Sequence, residues 1–542
     1  IFYLRDTANL STGGTAIDLT DVVHPDNREM AIRAIMAVGL DIGGVDFLTD
    51  DISKSYKEIG GGIVEVNAAP GFRMHVAPSE GQPRDVAGKV LEMLFPTSTP
   101  SKIPIAAITG TNGKTTTSRM LAHIIKTCGH TVGLTTTDGI YVDGKITVKG
   151  DTTGPRSAQM VLRDPTVDFA VLETARGGLV RNGLGYASTD VSACLNVASD
   201  HLGLGGVNTL EDLAKIKRIV IEAATGTVVL NADDKNCLLM ADYAEAEHIM
   251  YVTMHHDHAL VKQHIVAGGK ACVLEKGMNG DLITIYDNGT HIPILWSHLI
   301  PATIEGKALH NVQNAMFATA MAYSFGQDLD QIRQGLRTFN TTFFQAPGRM
   351  NVFDEHPFRV ILDYAHNPAA FKVLTDLVDK LDTYQRKMIV VSTPGDRRDE
   401  DIDEATEVLA GHYDHYFVKA DDNRRGRGDD EVPLRLKAGL IKNGVSKDAI
   451  TVIADEVSAI DTALSAAREK DLLIIIGDNV TRSWKQIVNF GNNENEPIKS
   501  NNTVEPLMAV PYEDLIDDSQ QIISDARGVR LARDQIVDEE GD

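Results

Sequence analysis

The sequence predicts an α/β protein in which a phosphate-binding α/β domain is followed by a smaller, doubly wound α/β domain. Three observations predict this fold class. First, residues 103–108 form an apolar run that is followed by a glycine-rich loop and a helical pattern from Ser118. Second, residues 167–172 and 191–197 have the unbroken apolar character of buried parallel strands. Third, apolar runs at residues 359–362, 387–392 and 472–477 alternate with helical segments.

The glycine-rich loop predicts a nucleotide site. Its sequence, TGTNGKTTT, lies between a predicted strand and a predicted helix, and this geometry aims free backbone N–H groups at an anion. Lys114 is expected to reach the β- and γ-phosphates of ATP, and the Thr115 hydroxyl to bind Mg²⁺. The general pattern has glycine where this chain has Ile108, so a chance match is the alternative. The loop residues predicted to contact ATP are Gly110, Thr111, Asn112, Gly113, Lys114, Thr115 and Thr116.

Polar residues further along the chain are predicted to complete this site. Glu173 follows one apolar run and His201 the next, and ligands of open α/β sheets gather at the carboxyl ends of strands. We therefore expect both side chains to bind metal. Asn311 and Asn314 lie three apart on a predicted helix, where they either present amides to a purine or belong to a polar surface. Arg349, at a Pro-Gly break, fits the spread charge of a γ-phosphoryl group.

The chain divides into five segments. Residues 1–95 form a first unit, residues 96–102 a linker, residues 103–346 the phosphate-binding domain, residues 347–491 the second domain, and residues 492–542 an acidic tail. Within the phosphate-binding domain, residues 245–297 alternate short apolar runs with turn signals, which predicts a small β-rich insertion without chemistry. Because the chain opens directly on motif-like sequence at Ile1, we expect an N-terminal part to be missing.

The first unit contains a second candidate metal site. Two predicted strands carry Asp46 and the pair Glu65 and Asn67, and the members of this pair share one face because they are two residues apart. Converging oxygen ligands of this kind suit Mg²⁺. The alternative from the residues alone is that these side chains face solvent on an edge strand.

Composition restricts the partners and the location that we expect. The chain has 542 residues, with 52 Lys and Arg against 76 Asp and Glu, a net charge of −24. Such an acidic chain is a poor candidate for binding nucleic acid. Its four cysteines form no close pair in the sequence, so neither a zinc site nor a disulfide framework is predicted. With no apolar run long enough to span a membrane, these features favour a cytoplasmic enzyme that has no membrane partner.

The loop TGTNGKTTT, the tripeptide PGR and the hexapeptide DYAHNP resemble the Mur ligase superfamily, which makes peptide bonds without a ribosome. The resemblance implies that Asp363 contacts the nucleotide and His366 the substrate. It implies that the Asp-His pair ending in His201 holds metal. It also implies a carbamylated lysine in the following helix, at Lys217 or at Lys215.

The sequence motifs VDF and EVNAAPG in the first unit resemble the end of an ATP-grasp domain, where Asp, Glu and Asn hold metal ions beside ATP. This resemblance implies a partial ATP-grasp α+β unit and supports the metal role of Asp46, Glu65 and Asn67. It also places Arg5 near substrate and phosphate. Because the nucleotide-gripping parts of that domain are absent upstream, we expect this unit to bind ATP poorly.

An ATP-grasp part fused to a Mur-type module is similar to the cyanophycin synthetase family, as are the strings GDTTGPRSAQ and PGDRRDEDI. His310 departs from this family and is more like general Mur ligases. The resemblance implies an ATP-dependent ligase that joins arginine to aspartate side chains of the cyanophycin polymer through an acyl phosphate. In the complete enzyme an ATP-grasp site adds aspartate to the backbone, and a homo-oligomer is expected. Thr152 and Thr153 would orient the polymer carboxylate, and one or more of Asp363, Asp396, Asp399 and Asp421 would hold the arginine.

Three other hypotheses remain open at this stage. The chain is another Mur-type ligase, acting on folate or a cell-wall precursor, although the upstream EVNAAPG unit argues against this. Alternatively, it is a phosphate-loop ATPase or nucleotide-binding module without ligase activity, and ATP turnover would then be independent of amino acids. Finally, it is an inert fragment because its ATP-grasp half is incomplete.

Overall fold

The computed structural model describes residues 14–491, except 98, 100, 201, 204, 205 and 382, together with two short strands closer to the C-terminus. Arg5 and His201 therefore lie outside the described residues, as does most of the predicted acidic tail. The chain divides into two compact units, Ile1–Val488 and Asn489–Asp542. In the second unit the described strands are β20 (Ile522–Asp525) and β21 (Gly528–Leu531), which pair in antiparallel fashion.

Residues 14–97 form a small α+β segment around one antiparallel strand pair. Its elements are α1 (Pro25–Val38), β1 (Gly44–Leu48), α2 (Tyr56–Ile59), β2 (Gly62–Asn67), α3 (Arg73–Val76) and α4 (Val86–Leu94). Helix α1 begins where Asp26 N–H donates to Nδ1 of His24 at 3.1 Å, and it ends at Gly39, whose φ of 79° is left-handed. No apolar side chain is buried among the described residues of this segment.

The largest domain is built on an eleven-stranded sheet. Its elements are β3 (Ile105–Thr109), α5 (Lys114–Thr127), β4 (Val132–Thr135), β5 (Gly139–Val142), β6 (Lys145–Lys149), α6 (Pro155–Arg163), β7 (Phe169–Glu173), α7 (Arg176–Asn182), β8 (Thr189–Cys194), α8 (Leu210–Glu222), β9 (Ala224–Asn231), α9 (Lys235–Met240), β10 (His248–Thr253), α10 (Ala259–Val266), β11 (Lys270–Gly277), β12 (Gly280–Asp287), β13 (Thr290–Trp296), α11 (Leu309–Ser324) and α12 (Leu329–Thr338). The strand order is β13-β12-β11-β10-β9-β8-β3-β7-β4-β5-β6, and the strands from β11 to β4 run parallel.

The centre of this sheet positions the phosphate loop. Strand β3 is fully buried between β7 and β8, and helix α5 buries Met120, Leu121, Ile124 and Ile125 against the core. The helix begins at Lys114, four residues before the predicted start at Ser118, because the loop threonines already adopt helical geometry. The carboxyl ends of β3, β7 and β8 therefore meet at one edge, beside the first turn of α5.

Residues 245–297 are rich in β-structure, as predicted, but they extend the central sheet instead of forming an insertion. Strand β10 pairs in parallel with β9, and β11, β12 and β13 continue the same sheet to its edge. Strands β12 and β13 form an antiparallel extension of the sheet, and each strand is buried only in part.

The second domain is the smaller α/β domain that the sequence predicts. Its elements are β14 (Asn351–Phe353), β15 (Arg359–Asp363), α13 (Pro368–Lys380), β16 (Lys387–Val391), α14 (Asp399–Leu409), β17 (His415–Val418), α15 (Glu431–Lys442), β18 (Ile450–Val452), α16 (Glu456–Ala466), β19 (Leu472–Ile476) and α17 (Val480–Asn489). The strand order is β14-β15-β19-β16-β17-β18, with every neighbouring pair parallel except β14 with β15.

In the described part of the chain, the search for a helix with the length and apolar character of a membrane span found none.

Candidate active site

A cavity of about 980 Å³ lies at the carboxyl ends of β3 and β7, and both large domains line it. Most of the residues predicted from sequence come together here. They are Gly110, Thr111, Asn112, Gly113, Lys114, Thr115, Thr116, Thr153, Glu173, Lys217, Asn311, Asn314, Arg349, Asp363 and His366. The cavity is therefore a cleft between two domains with the phosphate loop on one wall.

The phosphate loop leaves backbone N–H groups available at the start of α5. Gly113 caps this helix with a left-handed φ of 85°, and no side chain caps the first turn. The preceding N–H groups of Thr111 and Asn112 donate to Oδ1 of Asn196, at 3.1 and 2.9 Å. Asn196 thus fixes the loop and leaves the helix N-terminus for an anion. Sequence reasoning missed Asn196, although it lies shortly before the Asp-His pair.

Two lysines converge on the loop carbonyl groups. Nζ of Lys114 donates to the carbonyl oxygens of Gly110 and Thr111, at 3.1 and 2.8 Å. Nζ of Lys217 donates to the same Gly110 oxygen at 2.7 Å. Burial, reinforced by the charge of Lys114, lowers the pKa of Lys217 to about 7. Lys215, the alternative left open by the sequence, is exposed, so Lys217 is the lysine that reaches the cleft.

A carboxylate, a hydroxyl and a guanidinium group meet beside the loop. The Thr115 hydroxyl donates to Oε1 of Glu173 at 3.1 Å, and Nη2 of Arg349 donates to Oγ1 of Thr115 at 3.5 Å. Burial raises the pKa of Glu173, and the charges of Lys114 and Arg349 oppose this rise. Oε2 of Glu173 is buried without a hydrogen-bond partner in the described part of the chain. An orphaned carboxylate oxygen next to a threonine hydroxyl fits Mg²⁺, which prefers hard oxygen ligands.

Asp363 positions the arginine from the second domain. Its Oδ2 accepts the N–H of Met350 at 2.9 Å, directly after Arg349. Burial raises the pKa of Asp363, and the charge of Arg349 opposes this effect. The guanidinium carbon of Arg349 lies 5.0 Å from the ring centroid of Tyr364. Asp363 therefore supports the turn that carries Arg349.

Further contacts join the two domains across the cleft. Asp200 forms an ion pair with Arg397 at 3.0 Å and lies 3.7 Å from Nε2 of His366. The amide groups of Asn112 and Asn367 also bond to each other. Arg397 and Asn367 were not predicted as site residues, because the sequence pattern of one domain does not show which residues of the other domain it contacts.

Some predicted site residues have other roles in the structure. Thr152 turns away from the cleft, since its hydroxyl donates to the carbonyl of Thr136 at 2.7 Å. The amide of Asn311 donates to the carbonyl oxygen of Ala302 at 2.7 Å, and that of Asn314 donates to Oδ1 of Asn311 at 3.1 Å. Both asparagines are buried with their amides engaged inside the protein, so the structure presents neither as a free purine-binding amide.

Two of the four acids considered for binding arginine are already paired with arginines of the protein. Asp396, predicted to bind substrate, lies 2.9 Å from Arg397 and 2.8 Å from Arg425. Asp399 is bonded to Arg427 and to Arg435, each at 2.8 Å. Because two guanidinium groups already neutralise each carboxylate, each would attract the guanidinium group of a substrate only weakly.

The second candidate metal site forms a separate cluster. Asp46 stands directly opposite Glu65 in the strand pair β1–β2, and Asn67 stands opposite Gly44. The three side chains therefore share one face, as the spacing predicts, but none lines the cleft. Among the described residues, no group of three or more His, Cys, Asp and Glu side chains is arranged to hold a metal.

The four cysteines are free, although two that are distant in the sequence lie close together in space. Sγ of Cys237 lies 3.5 Å from Sγ of Cys194, because β8 and α9 bring together residues that are far apart in the chain.

His310 lines the cleft, and burial lowers its pKa to about 4, which leaves the ring neutral at pH 7.

Comparison with known proteins identifies both large domains. Residues 108–322 match the Mur ligase middle domain, and residues 348–479 match the Mur ligase, glutamate ligase domain. Two solved structures share the fold. They are FolC of E. coli in complex with DHPP and ADP (TM-score 0.52, 18% identity, covering 74% of this chain and 96% of that one) and folylpolyglutamate synthase of Mycobacterium tuberculosis complexed with ADP (TM-score 0.52, 18% identity, covering 75% of this chain and 94% of that one).

The chain therefore contains a Mur ligase middle domain and a Mur ligase, glutamate ligase domain, with the phosphate loop in the first and Arg349 at the start of the second. Among curated proteins it is similar to the cyanophycin synthetases. It is 47% identical over 489 residues to that of Synechocystis sp., which spans 90% of this chain and 55% of the relative. It is also 47% identical over 493 residues to that of Trichormus variabilis, with 90% and 54% covered. The resemblances to Mur ligases and to the cyanophycin synthetases that the motifs carry are confirmed. The chain spans about half the length of the curated relatives it matches.

Proposed function

We propose that this chain is an ATP-dependent amide ligase that joins arginine to the aspartate side chains of a poly-aspartate backbone. The observation that carries the proposal is the meeting of Lys114, Glu173 and Arg349 in one interdomain cleft at the head of α5. The identity with cyanophycin synthetases supports this choice among Mur-type ligases. No described feature favours the folate or cell-wall alternatives over it.

The chemistry follows from the charges in the cleft. An acceptor carboxylate attacks the γ-phosphorus of ATP, the bond to the β-phosphate oxygen breaks, and ADP leaves. The amine of arginine then attacks the carbonyl carbon of the acyl phosphate, loses a proton and expels phosphate. Because two anions must approach each other in the first step, the cationic side chains of Lys114 and Arg349 lower the repulsion. The loop N–H groups hold the phosphates, and Thr153 lies where it can orient the acceptor.

A magnesium ion would complete the charge balance. Thr115 and Glu173 are the described residues that fit it, and His201 is expected from its place in the sequence to join them. When bound, the ion neutralises charge on the phosphates. We keep Lys217 as the candidate for carbamylation, because a lysine with a pKa near 7 has a substantial neutral fraction to react.

We place the guanidinium group of the substrate near Asp421. This acid follows β17, and its neighbours are Ser392 and Lys419, with Nζ of Lys419 at 3.7 Å. Burial raises the pKa of Asp478, and the negative charge of Asp421 raises it further. Two carboxylates that repel each other are stabilised by a shared cation. Asp363 is engaged with the backbone of Met350 and is the weaker candidate.

The backbone-extending activity is proposed for the complete enzyme only. Asp46, Glu65 and Asn67 share one face of β1–β2, where they would hold metal ions beside a second ATP. Aspartate and the growing polymer would be its substrates. Residues 14–97 bury no apolar side chain among those described, so an active site of this kind needs further surfaces around it. The homo-oligomer and the cytoplasmic location stay predictions from sequence.

Release of ADP by the purified protein tests the proposal. With ATP, sustained release of ADP should require both arginine and a β-aspartyl acceptor, because the amine must consume the acyl phosphate before the next turnover. Lys114→Ala should lower this rate by at least about a hundredfold, because the variant loses a charge at the γ-phosphate. Lys215→Ala, a change at the exposed lysine of α8, is the matched control and should keep the rate. Equal ADP release without any amino acid would instead support a nucleotide-binding ATPase.

The same assay tests the amine site. Asp421→Asn should raise the KM for arginine by about tenfold while the KM for ATP stays within twofold, since a charge-assisted hydrogen bond is lost. Asp399→Asn removes an equal charge from an acid that the arginines of the protein already neutralise. If both variants changed the KM for arginine equally, Asp421 would not be the specific contact.

A further inference from the structure

A reciprocal pair of amides connects the phosphate loop to the second domain. Nδ2 of Asn112 donates to Oδ1 of Asn367 at 3.2 Å, and Nδ2 of Asn367 donates to Oδ1 of Asn112 at 3.0 Å. The two residues are 255 positions apart, and Asn367 is buried with 1% of its surface exposed. A contact with two hydrogen bonds restricts orientation more strongly than a single bond does.

Each asparagine makes further hydrogen bonds that hold it in position within its own domain. The backbone of Asn112 is held from its own domain, since its N–H donates to Oδ1 of Asn196 at 2.9 Å and its carbonyl accepts from Nδ2 of Asn196 at 3.2 Å. Asn367 is the N-cap of α13, because its Oδ1 accepts the N–H of Ala370 at 2.9 Å. The loop backbone is therefore set by one domain and its side chain by the other.

We propose that Asn367 is a positioning residue for the phosphate loop, so that the loop holds its nucleotide-binding geometry only while the second domain is docked. Gly113 and Lys114, at the start of the anion site, directly follow Asn112. A loop released by the second domain loses the alignment of these N–H groups. By linkage, a nucleotide that binds the aligned loop favours the docked arrangement by the same factor. The inference rests on the proposed nucleotide site, but not on the identity of acceptor or amine.

Asn367→Ser is the informative variant. Serine keeps the N-cap of α13 but is too short to reach Asn112, so the helix stays capped while the amide pair is lost. The ion pair between Asp200 and Arg397 still joins the domains. Asp455→Ser is the matched control. It makes an equivalent N-cap change on α16, where Asp455 accepts the N–H of Ser458 at 2.7 Å and is not among the residues that line the cleft.

Calorimetric binding of ADP, without acceptor or amine, gives the first result. We expect Asn367→Ser to bind ADP about tenfold more weakly than the unaltered chain, and Asp455→Ser to bind it equally well. Asn112→Ala should weaken binding from the other side of the contact. The double variant Asn112→Ala with Asn367→Ser should be no weaker than Asn112→Ala alone, since one interaction is lost in both.

Hydrogen exchange of the loop gives the second result, and it needs no nucleotide. Asn367→Ser should speed exchange at residues 110–116 while exchange in α13 stays unchanged. A merely structural change in the second domain would instead act on α13. Unchanged ADP affinity in Asn367→Ser, or additive losses in the double variant, would overturn the inference. Absence of ADP binding to the unaltered chain would refute the proposed function instead.

Discussion

Glu173 and Lys217 are two ionisable residues whose burial disfavours their charged forms. Burial raises the pKa of Glu173 and lowers that of Lys217, so each is driven toward its neutral form. A fold gains no stability from such groups. Their places beside the loop are therefore better explained by charges that the bound nucleotide brings.

Lys217→Met tests this at the scale of one residue. The pKa of Lys217 falls from 10.5 to about 7 on folding, so between these values the unfolded chain holds a proton that the folded chain lacks. This residue therefore makes the free energy of unfolding rise with pH from about 7 to 10, and below pH 7 its contribution is constant. Denaturant titrations at pH 7 and 9 should show a smaller rise for Lys217→Met than for the unaltered chain.

Lys215→Met provides the comparison, because Lys215 lies on the same helix but is exposed. This variant should keep the full rise of stability with pH. If Lys217→Met also kept it, Lys217 would not be a buried lysine with a lowered pKa.

Helix α5 and its loop act as one element. Gly113 has a φ of 85°, and a Cβ atom there would overlap Oδ1 of Asn314. Asn314 is tied to the helix by the hydroxyl of Thr117, which donates to Oδ1 of Asn314 at 3.2 Å. The two asparagines predicted to face a purine thus serve as a buried support that forces the loop to contain glycine.

Gly113→Ala tests whether the loop before α5 needs glycine to hold its nucleotide-binding geometry. The left-handed backbone alone costs about 1–2 kcal/mol for a residue with a side chain, and the overlap with Asn314 moves the loop as well. ADP affinity should therefore fall by at least about tenfold. Gly129→Ala, just after α5, has a φ of 93° with nothing within 4 Å of the added carbon, so it should cost similar stability but leave ADP binding intact. Equal ADP affinity in both variants would contradict this account of the loop.

The elements whose pattern is local were predicted well. The loop, the strands β1 and β2, and the parallel strands around Glu173 follow from periodicity, glycine placement and unbroken apolar runs. Strand β10 was assigned to an insertion because the sequence of a strand does not encode its neighbours, and β10 pairs with β9 on one side and β11 on the other. The sequence also could not predict that Thr152 points into the protein while Thr153 lines the cleft. No sequence pattern determines which of two neighbouring loop residues faces a cavity.

At the scale of the whole molecule, the cleft exists only because two domains meet. Its first wall holds the nucleotide loop, and the second supplies Arg349, His366 and Arg397. Sequence motifs predicted the separate walls but not the pairs between them, Asp200 with Arg397 and Asn112 with Asn367, because these depend on how the domains dock. The domain arrangement therefore brings the phosphate loop of one domain and Arg349 of the other to one cleft.

Transfer of oxygen from acceptor to phosphate tests the central claim most directly. The acceptor carboxylate is labelled with ¹⁸O, and the phosphate released during ATP- and arginine-dependent turnover is analysed by mass spectrometry. If the carboxylate attacks the γ-phosphorus and the amine then expels phosphate, each released phosphate carries one oxygen from the acceptor. Unlabelled phosphate, formed while arginine is being added, would contradict the acyl phosphate and with it the role assigned to this cleft.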